Sequence, residues 1–130
     1  MAVPKMGRIL LVEDDADVGR IVAEFLGTVG HSVISASSAQ QARFAVATEA
    51  VDLALIDCLM KGEQGDSLAE YVSQLGIPTI LTSGDPQYLE TLAGQDLPFL
   101  PKPFRLTALE ELISQILQAN RVNRPAIAND

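Results

Sequence analysis

The sequence is short of several things, and each shortage removes a class of function. Cysteine is almost missing: Cys58 stands alone, so no internal disulfide can form, and a reducing cytoplasm is the expected compartment. There is no tryptophan, and aromatic residues make up 5% of the chain. Basic residues are scarce, nine against seventeen acids, and the net charge of −8 leaves nothing to neutralise a row of phosphates. Direct binding to nucleic acid is therefore not expected. No apolar run approaches the length of about 18 residues that a membrane span needs, so membrane insertion is not expected either. The opening MAVPKMGRILLVEDD fails as a signal peptide, because acids follow its short apolar run directly. A glycine-rich turn after the first apolar run is absent as well, which argues against a dinucleotide site.

What is present is an alternation. Short apolar runs at Ile9–Val12, Ser32–Ala36, Val51–Ile56, Pro78–Thr82 and Pro98–Leu100 read as five strands. Helical patterns separate them. Val18, Ile21, Val22, Phe25, Leu26 and Val29 recur at helical spacing, and Gly30 ends that helix. Ser38 is placed to cap an alanine-lined second helix that runs to about Thr48. KGEQG forms a loop before a third helix carrying Leu68, Val72 and Leu75. A fourth helix, about Pro86 to Ala93, has the weakest pattern. The last bears Leu106, Leu109, Leu112, Ile113, Ile116 and Leu117 on one stripe, and from Arg121 onward the pattern stops. The expected fold is α/β: a doubly wound, five-stranded parallel sheet between two helical layers, occupying residues 7–119. Residues 1–6 and 120–130 are expected to be flexible termini. No repeat and no linker to a second domain is seen, so a stand-alone domain is expected.

In such a sheet the C-terminal ends of the strands share one edge, and ligand chemistry gathers there. Glu13, Asp14 and Asp15 follow the first strand and Asp57 the third. Ser83 and Gly84 follow the fourth, and Lys102 and Pro103 the fifth. Carboxylates brought this close must hold a hard cation or take up a proton. Oxygen ligands alone favour Mg²⁺. Asp57 is then a nucleophile toward a phosphoryl donor, with the metal and Lys102 neutralising charge and the Ser83 hydroxyl bonding a phosphoryl oxygen. Each residue also has an ordinary reading. Asp14 or Asp15 suits a helix cap, Lys102 a surface lysine and Ser83 a turn. Their convergence from four loops is what favours chemistry.

RILLVEDD, ALIDCLM, PTILTSGD and FLPKPF, in that order, resemble the signature blocks of bacterial response-regulator receiver domains over about Arg8 to Gln118. The resemblance implies a flavodoxin-like sheet in the order 2-1-3-4-5. It implies that Glu13 and Asp14 hold Mg²⁺ together with Asp57 and the backbone carbonyl of Leu59. It makes Asp57 the phosphoacceptor, Ser83 the hydroxyl switch position and Lys102 the phosphate contact, with a cis Lys102–Pro103 peptide. Phe99 falls at the aromatic switch position but lacks a phenol hydroxyl. The implied partners are a sensor histidine kinase or a histidine phosphotransfer protein, and a downstream protein target. Such a domain catalyses only its own phosphorylation and dephosphorylation and is not otherwise an enzyme. Lys61 and Gln64 depart from the proline and aspartate usual in the loop after the acceptor, while Gly65 keeps its place.

Two rivals fail on residues. A haloacid-dehalogenase phosphatase needs a second aspartate two positions after Asp57, where Leu59 stands. A Cys58–His31 nucleophilic pair would be separated by a strand of roughly 16 Å; Cys58 is read as core filler and His31 as an exposed loop residue. The surviving alternative is a degenerate receiver that docks partners without phosphorylation.

Overall fold

The computed structural model describes residues 6–58, 60, 65–85 and 97–122. Five parallel strands, β1 (Arg8–Val12), β2 (Ser32–Ala36), β3 (Leu53–Asp57), β4 (Thr79–Ser83) and β5 (Phe99–Pro101), form one sheet in the order β2-β1-β3-β4-β5. The described helices are α1 (Ala16–Thr28), α2 (Ala39–Thr48), α3 (Gly65–Gln74) and α4 (Leu106–Val122). The sheet order and the flavodoxin-like layering are those expected.

Strand residues alternate between two cores because successive side chains point to opposite faces. Leu10, Val12, Ala54, Ile56 and Leu81 pack with Ala39, Ala42 and Ala45 of α2 and with Leu68 and Val72 of α3. Ile9, Leu11, Leu53, Leu55 and Ile80 pack with Val22 and Leu26 of α1 and with Leu109, Ile113 and Leu117 of α4. Every residue of β3 and β4 is buried, the reason these strands read as unbroken apolar runs. At about 1.5–3 kcal/mol for each large side chain, this two-sided burial is the main force holding the sheet in register. Ser38 caps α2 by accepting from the Gln41 amide, as its position suggests.

Several expectations shift. β3 and β4 run one residue further than their apolar runs, so Asp57 and Ser83 close their strands rather than follow them; the ladder continues because Asp57 pairs with Thr82. Leu75 lies beyond α3 and is 52% exposed, since 3₁₀-type bonds from Leu75 and Gly76 tighten the helix end. Ile21 and Val29, assigned to the inner stripe of α1, are 53% and 38% exposed. α4 continues to Val122, past the end of its apolar pattern. The expected helix at Pro86–Ala93 lies outside the described residues.

His31 corrects the sequence reading most. It is buried, not exposed. Its Nδ1 accepts from the Gly7 amide at 3.0 Å, and its Nε2 lies 2.8 Å from Glu110 Oε1. Because Nδ1 must accept, the hydrogen sits on Nε2 and is donated to Glu110. One imidazole thus ties the entry of β1 to α4, at the end of the sheet remote from the acids.

Candidate functional site

The four strand ends place their side chains as the topology requires. β1 delivers Glu13, whose amide donates to the Ala36 carbonyl at 3.0 Å. Asp15 is the residue that caps α1: its Oδ1 accepts from the Asp17 and Val18 amides at 3.0 and 3.2 Å. The capping role thus belongs to Asp15, and Glu13 and Asp14 are left to the cluster. Glu13, Asp14 and Asp57 each present a carboxylate oxygen within 4.8 Å of the others. The donor set is oxygen only, from carboxylates, which fits a hard divalent cation such as Mg²⁺.

Lys102 reaches into this cluster from the end of β5. Its amide donates to the Ser83 carbonyl at 2.8 Å, and the Lys102–Pro103 peptide is cis, as the resemblance implies. Its ammonium donates to Glu13 Oε1 at 2.9 Å and to Asp57 Oδ2 at 3.2 Å. The two acidic side chains are only 7% and 8% exposed. Burial, then the hydrogen bond shared with Asp57, raises the Glu13 pKa above its ordinary value, against the opposing pull of Lys102. For Lys102, burial works to lower the pKa, but the bonds and charges of Glu13 and Asp57 outweigh it and the net shift is upward.

Glu13 therefore gives the metal-free protein a pH dependence. Below its ordinary value of 4.5 both folded and unfolded chains keep the proton. As the pH rises, the unfolded chain ionises first, so stability falls until the folded carboxyl has also ionised. Glu13→Gln should melt higher than the parent at neutral pH without metal, and the gap should close toward pH 4; a thermal melt series with chelator checks it. A gap that persists unchanged at pH 4 would contradict the burial argument.

Ser83 is fully buried at the end of β4, and its Oγ accepts from the Asp85 amide at 3.1 Å. It therefore serves the turn, while its hydroxyl hydrogen is not used by that bond. Phe99 pairs with Leu81 across β4 and β5 and packs, half-buried, on the core beneath α2 and α3. Leu59, Lys61 and Gln64 lie outside the described residues.

Sequence reasoning undervalued Gly65. Its amide donates to the Cys58 carbonyl at 3.1 Å, and a side chain here would collide with the Asp57 carbonyl and stand 2.7 Å from Cys58 Cα. The signal was a glycine opening a helix, which marks close backbone approach. Gly65→Ala should cost about 1–3 kcal/mol by overpacking against backbone that cannot yield. Urea denaturation measures this, and a loss below a few tenths would mean that α3 moves away freely. Also unforeseen is an apolar groove of about 410 Å³ beside Lys102, walled by Val18, Ile21, Val22, Phe104 and Leu106.

Comparison with known proteins bears on this geometry. A family model described as the response regulator receiver domain matches residues 9–114. The transcriptional regulatory protein CpxR of Klebsiella pneumoniae is 33% identical over 117 residues, covering 87% of this chain and 50% of CpxR. CpxR of Escherichia coli K12 is 30% identical, covering 96% and 55% respectively. The chain thus spans about half the length of these curated relatives. A CheY-like receiver domain protein from Methanospirillum hungatei superposes with a TM-score of 0.81 at 26% identity, covering 92% of this chain and 99% of that one.

Proposed function

The chain belongs to the response-regulator receiver family, and on that premise we propose that it accepts a phosphoryl group on Asp57 from the phosphohistidine of a sensor kinase or phosphotransfer protein. The observation that carries this reading is the Lys102 ammonium held between Glu13 and Asp57 inside a cluster of three carboxylates. Glu13, Asp14 and Asp57, with the Leu59 carbonyl that the resemblance adds, would hold Mg²⁺. When bound, the metal supplies positive charge that phosphoryl oxygens need near these acids. Asp57 forms the new O–P bond as the donor's N–P bond breaks, and the departing imidazole nitrogen keeps the electron pair and takes up a proton. Lys102 neutralises charge on the transferred group, and Ser83 donates its hydroxyl hydrogen to a phosphoryl oxygen.

The apolar groove beside Lys102 supports a protein donor, since it offers a surface on which a partner can pack while its histidine reaches Asp57. No helix among the described residues is long and apolar enough to cross a membrane; with a single buried cysteine, the proposed compartment is the cytoplasm. The domain turns over no substrate but its own phosphoaspartate. Incubation with acetyl phosphate and Mg²⁺, read by intact mass, tests the proposal: one added phosphoryl group is expected. A chain that stays unmodified would favour the degenerate binding module instead.

Phosphorylation would be read out from Ser83 toward β5 and α4, because Ser83 and Lys102 are bonded to each other through backbone and frame that face. Phe99→Ala should uncouple partner binding from phosphorylation. Equal phosphate dependence in the variant and the parent would exclude Phe99 from the switch.

A further inference from the structure

Glu13 has one more rotatable bond than an aspartate at the same place, and it stands between two environments. On one side is the acid cluster with Lys102. On the other is a cavity of about 470 Å³ whose lining includes Glu13 itself, Gly19, Arg20, Ser37 and Gln41. A carboxylate free to turn has room there, although Asp15 and Glu24 also line the cavity and Arg20 already pairs with Asp17 at 3.3 Å.

Two contacts hold Glu13 toward the cluster. Lys102 donates to Oε1 at 2.9 Å, and the backbone amide of Asp15 donates to Oε2 at 3.3 Å. The second contact depends on where Asp15 sits. Its extended backbone, φ −83° and ψ 109°, is fixed by its own carboxylate, which bonds the Asp17 and Val18 amides. The Asp15 carbonyl also accepts from Gly19 at 2.9 Å. The carboxylate of Asp15 is engaged by the helix and is not among the three that meet at the cluster.

We propose that Asp15 is a positioning residue for the metal site: by capping α1 it aims its own amide at Glu13 and keeps that side chain out of the neighbouring cavity. The proposal rests on the Mg²⁺ reading given above. Partners that orient a ligand are needed for affinity even though they never touch the ion.

Asp15→Ala should weaken Mg²⁺ binding by about tenfold, the lower end for loss of an orienting partner, because the amide itself remains. Asp15→Asn caps equally well and should bind within about twofold of the parent. Asp15→Gly removes the side chain at less cost to the helix, and it repeats the Ala measurement should that variant fold poorly. Affinity is read from Mg²⁺ titrations of backbone amide shifts on the full chain, and helix stability separately from melting without metal. A purely structural cap would lower the melting temperature and leave Mg²⁺ affinity at the parent's value, which overturns the proposal. An Asn variant as weak as Ala also overturns it, since Asp15 would then act through its charge. A parent that shows no Mg²⁺-dependent shifts removes the metal reading itself, and this proposal with it.

Discussion

Asp57→Asn is expected to abolish acid-labile phosphate on the chain while leaving its fold in place. The amide is nearly isosteric, so the buried end of β3 keeps its packing, and the amide oxygen still accepts from Lys102. What disappears is the anionic nucleophile, without which no O–P bond forms. Two electrostatic changes offset each other in the metal-free protein. One charge-assisted bond to Lys102 weakens, and the repulsion among three carboxylates within 4.8 Å falls. Circular dichroism and a phosphate-release assay separate fold from chemistry. Full labelling of the variant would move the acceptor to Asp14 or Ser83.

Lys102→Met is the other large effect. With the ammonium gone, nothing from β5 meets the charge on the transferring group, and the rate of phosphorylation by acetyl phosphate should drop about 10²-fold, the usual cost of deleting one preorganised electrostatic partner. Stability changes too. Because the Lys102 pKa is raised in the folded protein, its contribution is fully present below the ordinary value of 10.5 and is lost only as the pH rises through the shifted one. Metal-free Lys102→Met should therefore melt below the parent throughout the neutral range, with Glu13 and Asp57 left without their shared counter-charge. Added Mg²⁺ should restore part of the melting temperature and little of the rate. An unchanged rate would reduce Lys102 to a structural counter-ion.

The parts of this molecule legible in its sequence are those governed by local pattern. β3 and β4 are covered on both faces, so their burial shows as unbroken apolar runs, whereas the sheet order was implied by the resemblance of the signature blocks and not by the runs themselves. The candidate site was legible for the same reason. Strand ends share an edge, so Glu13, Asp14, Asp57, Ser83 and Lys102 could be gathered without coordinates. The exact strand ends were not, because Asp57 stays in the ladder through its pairing with Thr82 rather than through any apolar character. His31 defeated the reading altogether. Its partner Glu110 is 79 residues away, and a lone histidine in a turn carries no trace of that bond. The choice between Asp14 and Asp15 as cap also needed geometry, since either acid satisfies the sequence preference and it is the Asp15 carboxylate that accepts from the Asp17 and Val18 amides. Leu75 misled for a simpler reason: its spacing continues the α3 stripe by one position after the helix has ended.

The phosphoryl group is expected to reside on the Asp57 carboxylate. An acyl phosphate is reduced by borohydride to the alcohol, so the labelled chain, reduced and digested, should carry homoserine at position 57 and nowhere else, only in samples that contained Mg²⁺. Homoserine in place of another aspartate, or acid-stable phosphate on Ser83, would show that Asp57 is not the acceptor.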